Sequence, residues 1–197
     1  MFEEADGSGS VSGSHVYGVP GVYTVGLVVT DDDGASDETV FQYVVVYDPA
    51  GGFVTGGGWI DSPAGAYTDD PSLMGKATFG FVAKYQKGAR VPVGQTEFQF
   101  RVADLNFHSD SYEWLVVAGA RAQFKGEGTI NGVGGYGFML VGIDGQQPGG
   151  GGVDKFRIKI WDMAGEDVIY DNQIGADDYG SAATRLGGGS IVIQKAK

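Results

Sequence analysis

Apolar residues recur at every second position in one segment after another, and no stretch sustains the 3.6-residue period of a helix. Val22 to Thr30 places Tyr23, Val25, Leu27 and Val29 on one face, and Val40 to Tyr47 is a second β-rich run. Phe53 to Ile60, Gly75 to Tyr85, Thr96 to Leu105, Ser111 to Ala118, Arg121 to Ile130 and Lys155 to Trp161 follow, with shorter runs at Val168 to Tyr170 and Ser190 to Gln194. In Thr96 to Leu105 the apolar set is Phe98, Phe100 and Val102; in Lys155 to Trp161 it is Phe156, Ile158 and Ile160, with Lys155, Arg157 and Lys159 facing outward. Tyr136 to Ile143 is apolar on both faces, the mark of a central strand. Between the runs lie clusters drawn from 36 glycines, far above the roughly 7% of ordinary usage. Asn131-Gly132 is a strong two-residue hairpin signal. This pattern predicts an all-β protein, an antiparallel sandwich or jelly roll.

The chain reads as three parts. Residues 1–48 hold a hairpin whose two strands are joined by the polar stretch Thr30 to Thr39, preceded by loop-like material from Ala5 to Ser14. Residues 49–52 read as a linker, and residues 53–197 as the larger domain. A lone two-stranded hairpin is marginal in water, so the hairpin is expected to dock on the larger domain or to form a homo-oligomer with another copy.

A net charge of −12 argues against nucleic acid and anionic membranes as partners and makes calcium a reasonable cofactor. Cysteine is absent, and a chain of 197 residues can bury enough surface without disulfides. No apolar run spans a bilayer, which excludes membrane insertion by a helix. Met1-Phe2-Glu3-Glu4 lacks the basic start and apolar middle of a signal peptide, so an exported protein is expected either to have had its signal removed or to start partway through a longer chain.

Two resemblances add to this. His15, Tyr17, Gly21, Tyr23, Val25, Leu27 and Val29 match the second half of a PKD repeat, an immunoglobulin-like sandwich found as a spacer or adhesion unit in exported proteins. The family's Trp-Asp-Phe-Gly-Asp-Gly-like strand has no counterpart beyond Asp6-Gly7, so the resemblance implies half a domain. Gly56 to Ile60, Lys76 to Val82, Asn106 to His108 and Asp154 to Asp162 resemble a post-COAP domain of bacterial exoproteins, over roughly residues 53–195. Together they imply a bacterial extracellular or cell-surface module, with an extracellular glycan or surface protein as partner.

Candidate chemistry is sparse. His108, Asp110 and Glu113 are the residues a small hydrolase would use, although neighbours on a strand point to opposite faces and no Gly-x-Ser-x-Gly elbow is present. Asp144 and Asp154 flank a glycine tract and form the best candidate calcium site; Asp177-Asp178 and Asp31-Asp32-Asp33 are weaker ones, the last reading better as a solvated hairpin turn. Glu97, Glu113 and Glu127 read as solvated strand faces rather than a glycosidase pair. Trp59, Trp114 and Trp161 could stack on sugar rings or belong to the core and rim. The first reading is a non-catalytic extracellular accessory, spacer or adhesion module; a carbohydrate-binding module and a small secreted hydrolase are the alternatives.

Overall fold

The computed structural model describes residues 2–5, 8–48 and 52–194; of the expected linker only Gly52 falls among them, and Asp6-Gly7 lies outside. Among the described residues all regular elements are strands apart from one 3₁₀ turn at Arg101–Ala103, and every pairing is antiparallel. β1 (Phe2–Ala5) pairs with β2 (Ser8–Val11), so part of the segment expected as loop is a short hairpin. β3 (Gly21–Thr30) and β4 (Ser36–Val46) form a second two-stranded ribbon. The larger domain holds β5 (Phe53–Ser62), β6 (Gly75–Lys84), β7 (Val93–Phe100), β8 (Leu105–Ala118), β9 (Arg121–Ile130), β10 (Val133–Ile143), β11 (Lys155–Asp162), β12 (Val168–Asp171), β13 (Thr184–Arg185) and β14 (Gly188–Gln194).

These ten strands make one sheet. From β5 to β12 each strand pairs with the next in sequence, and the chain then returns so that β13 pairs with β11 and β14 with β5. The sheet folds over on itself, and its inner faces meet as those of a sandwich do. Phe79 on β6 stacks on Phe156 of β11 at 4.0 Å between ring centroids, and Phe98 on β7 meets Tyr170 of β12 at 4.7 Å. Phe81 reaches Phe124 of β9 across the same interior. Offset aromatic contacts of this kind contribute beyond area burial alone, about 0.5–1.5 kcal/mol per pair.

The fold turns along β8. This strand is 14 residues long, pairs with β7 only through Leu105 to His108, and carries bulges at Ser109/Ser111 and Tyr112/Trp114. Each bulge adds a residue on one strand and bends it. At Gly126, opposite Tyr112 between the two bulges, a Cβ would collide with the Ser111 carbonyl oxygen and the Phe138 ring, so only glycine lets the strands approach. Asn131 and Gly132 both take positive φ, 52° and 82°, closing the β9–β10 hairpin as their sequence predicts.

Three expectations change. Val102 leaves the apolar face, because the chain turns at Arg101–Ala103 and exposes it. The strand expected from Ser111 begins at Leu105, which puts His108 on a strand face. Arg157 faces outward as expected and yet is 1% exposed, because residues 172–183 run as a strap over the outer face of β9, β10 and β11. That strap, with the β3–β4 ribbon, is why β10 is buried on both sides: Val141 and Ile143 pack on Ala182, while Met139 packs in the cluster that receives the ribbon.

The ribbon does dock on the larger domain. Val22 and Val45 pack on Trp114, Val116 and Met139, beside Trp161, and Tyr47 stacks on Tyr85 at 4.9 Å. The docked face is the one opposite Tyr23, Val25, Leu27 and Val29. On that expected face only Tyr23 is partly covered, by Tyr17 at 4.5 Å.

Candidate functional site

His108, Asp110 and Glu113 lie on the outer face of β8. His108 sits opposite Glu97 on β7, and its Nδ1 is 3.6 Å from Glu97 Oε1, with both side chains about half exposed or more, 46% and 63%. Asp110 occupies the first bulge, and Glu113, in the second, is held by Lys125, whose Nζ donates to both carboxylate oxygens at 2.9 and 3.1 Å. Among the described residues no hydrogen bond joins His108 to Asp110 or Glu113, so a nucleophile–base–orienter relay is not assembled there. Glu97, Glu113 and Glu127 all occupy exposed positions on strands.

Asp144 and Asp154 are brought together from the ends of β10 and β11. Both are buried, and their four oxygens are engaged by main-chain donors. Asp144 Oδ1 accepts from Gln146 N at 3.0 Å and Oδ2 from Ile193 N at 2.9 Å; Asp154 Oδ1 accepts from Gly145 N and Oδ2 from Ile191 N, each at 2.7 Å. In the orientation that satisfies both of its ends, the Gln146 side-chain amide also donates to Asp154 Oδ1 and Asp144 Oδ1. β14 needs these partners because its other edge has no full neighbouring strand. The two carboxylates therefore stitch β14 to the β10–β11 turn and close the folded sheet, helped by Leu186 N donating to the Asp154 carbonyl. Buried carboxylates saturated by N–H donors are strongly bonded acceptors.

The three tryptophans separate. Trp114 is 9% exposed beneath the ribbon. Trp59 and Trp161 are half-buried and lie over glycines: a Cβ at Gly187 or Gly188 would strike the Trp59 ring, and one at Gly137 the Trp161 ring. Cations stand over both rings, Lys76 Nζ at 4.8 Å from Trp59, and Lys125 and Lys159 Nζ at 5.7 and 5.9 Å from Trp161.

The densest polar arrangement was not singled out from sequence. The Arg157 guanidinium donates to both Asp171 oxygens at 3.1 and 2.8 Å, and to the carbonyls of Ala176 and Asp177 at 2.9 and 2.6 Å. Gln123 Nε2 donates to the Asp178 carbonyl, and Arg121 Nη2 donates to Gln123 Oε1 and reaches the carbonyls of Tyr179 and Gly180. Lys159 pairs with the Asp178 carboxylate at 2.9 Å. Side chains from the sheet thus take up five successive strap carbonyls. Burial holds the Arg121 pKa below its usual range, with Arg157 adding to the lowering and Asp177 opposing it. In sequence Asp177-Asp178 reads only as a weaker calcium candidate, and Arg157, set between Phe156 and Ile158, as a solvated charge.

Two buried tyrosines complete the electrostatics. Burial pushes the Tyr112 hydroxyl up to about 12, against the opposing bonds of Thr96 and Ser109. Tyr170, whose hydroxyl donates to Ser62 Oγ at 2.8 Å, is raised further by burial.

A family model for the PKD domain matches residues 3–46. No curated protein matches the chain, and no solved structure matches it. The segment that carries β1 to β4 thus has the signature of an immunoglobulin-like element, here as two separate two-stranded ribbons. The post-COAP likeness of the larger domain stays a likeness of motifs. Among the described residues no helix is long and apolar enough to cross a membrane, and none of their His, Asp and Glu side chains gather in threes as a metal cluster.

Proposed function

We propose that the chain is a non-catalytic accessory module, a spacer or adhesion unit, of a larger bacterial protein at the cell surface or outside the cell. The carrying observation is the PKD match over residues 3–46, on a ribbon seated against Trp114, Val116 and Met139 of the larger domain. Units seated on one another in this way pass a mechanical load through packed side chains rather than through a bare linker. The partner is an extracellular glycan or a surface protein. Protease treatment of intact producing cells tests the location: the module should be cleaved from the surface, or be found in the medium, and full protection inside intact cells overturns the reading. A hydrolase panel run beside it should be silent, and turnover lost in His108→Ala would replace this reading with the hydrolase.

Carbohydrate binding is a second reading, favoured by Trp59 and Trp161. Each ring is braced by glycine backbone beneath it and is only half-buried. Flat, immobilised rings of this kind present a low-entropy apolar surface. A glycan array should lose its signal in Trp161→Ala if this reading holds.

A further inference from the structure

We infer that the protein self-associates head to tail, the β3–β4 ribbon of one copy docking on the β6–β7 end of the next.

Charge is divided along this chain. Residues 1–75 contain 12 carboxylates and no lysine or arginine, whereas residues 76–197 contain 13 of each sign and are neutral. The whole −12 therefore sits in the first 75 residues. Five of those carboxylates, Asp31, Asp32, Asp33, Asp37 and Glu38, cluster at the ribbon tip. The opposite sign collects around β6 and β7: residues 76–101 hold five cations and one carboxylate. Lys84 at the end of β6, and Lys87 and Arg90 on the connection to β7, are exposed beside the exposed Val91 and Val93. Among the described residues no ion pair engages either the tip carboxylates or these three cations.

The ribbon is built as a projecting arm. It grips its own domain only near its base, at Val22, Val45 and Tyr47, and every residue from Thr24 to Phe41 is exposed. Nine residues of strand place the tip roughly 30 Å from that base. Since Tyr47 at the base stacks on Tyr85, the tip stands away from its own copy's cations. One face of the arm carries Val25, Leu27, Val29 and Phe41, exposed by 44, 38, 52 and 68%. Phe41 lies directly opposite Val25 in the register, so the four form one continuous stripe. An open apolar stripe on a two-stranded ribbon is an association surface.

A second copy is the occupant that charge selects, and it also selects the geometry. Two ribbons packed in parallel, face to face, would bring one acidic tip against the other. Head-to-tail docking instead places the tip beside Lys84, Lys87 and Arg90 while the stripe meets Val91 and Val93. Such a contact is heterologous, and it grows into a ring or a filament. The ion pairs contribute register, association rate and the salt-sensitive part of the affinity, and apolar burial the rest.

Sedimentation velocity across a concentration series of the full chain tests this. Assembly should grow with concentration and weaken by about tenfold or more as sodium chloride rises from roughly 0.05 to 0.5 M. Two charge-reversed proteins then decide the geometry. One carries Asp32→Lys, Asp33→Lys and Glu38→Lys, which spares the Asp31 and Asp37 turn bonds; the other carries Lys84→Glu, Lys87→Glu and Arg90→Glu. Each alone should be monomeric with an unchanged thermal midpoint, and mixing them should restore assembly. Phe41→Ser should weaken assembly without touching charge. A wild-type chain monomeric throughout, an assembly indifferent to both reversals, or reversed proteins that fail to combine when mixed would each overturn the inference.

Discussion

The β3–β4 ribbon and the ten-stranded sheet are written in the same alternation and end in opposite conditions. On β6 the set Ala77, Phe79, Phe81 and Ala83 is buried, and on the ribbon the set Val25, Leu27 and Val29 lies open. The difference is not in strand composition. The large sheet is long enough to fold back, so each apolar face finds another of its own strands. Two strands cannot fold back, and the ribbon covers only the end that meets Trp114 and Met139. Alternation makes a strand, and the number of strands available decides whether its face is covered.

The largest loss is expected in the ten-stranded sheet, at Arg157. Arg157→Met should leave the buried Asp171 carboxylate without its cation and the Ala176 carbonyl without its donor, and cost about 3–5 kcal/mol, read in denaturant unfolding. Arg157→Met combined with Asp171→Leu should recover much of that loss. Next comes the seam. Asp154→Ala removes the acceptor of two buried amides, Gly145 N and Ile191 N, at about 2–4 kcal/mol, while Asp154→Asn should cost less because one oxygen remains.

Alkali should attack the large domain and spare the ribbon. Tyr112 and Tyr170 have folded pKa values raised by burial above the usual 10, so the stability they contribute is fully present below pH 10. It is lost as pH rises from 10 toward 12 and beyond, by up to ~1.4 kcal/mol per pH unit for each tyrosine. Tyr112→Phe should flatten the profile between pH 10 and 12.

A smaller effect is expected where the two regions touch. Deleting residues 1–48 should lower stability by about 1–2 kcal/mol and shift Trp114 emission to the red, because the apolar cluster under the ribbon becomes exposed. Val29→Ser on the open face should change stability by less than about 0.5 kcal/mol. The smallest effect expected is that of chelation. N–H donors already occupy all four oxygens of Asp144 and Asp154, so the unfolding midpoint should be the same with chelator and with calcium at fixed ionic strength; a midpoint raised by calcium would return these residues to the role of metal ligands.

Much of the fold was legible in the residues themselves. Period-2 alternation located the strands of the large sheet, Asn131-Gly132 marked its hairpin, and the two-sided apolar run of β10 announced a strand covered on both faces. The PKD motif from His15 to Val29 identified the N-terminal segment, and a family model matches residues 3–46. These features are local: they depend on backbone preference and on which side of one strand is apolar. Tertiary structure alone decided what covers each face. It buried Arg157 under a strap some 20 residues along the chain, brought Asp144 and Asp154 against β14, and turned Val22 rather than Val25 toward the domain. A charged side chain such as Arg157 looks the same in sequence whether water or a carboxylate and two carbonyls surround it. Its surroundings come from residues distant in the chain, and only folding brings them into contact.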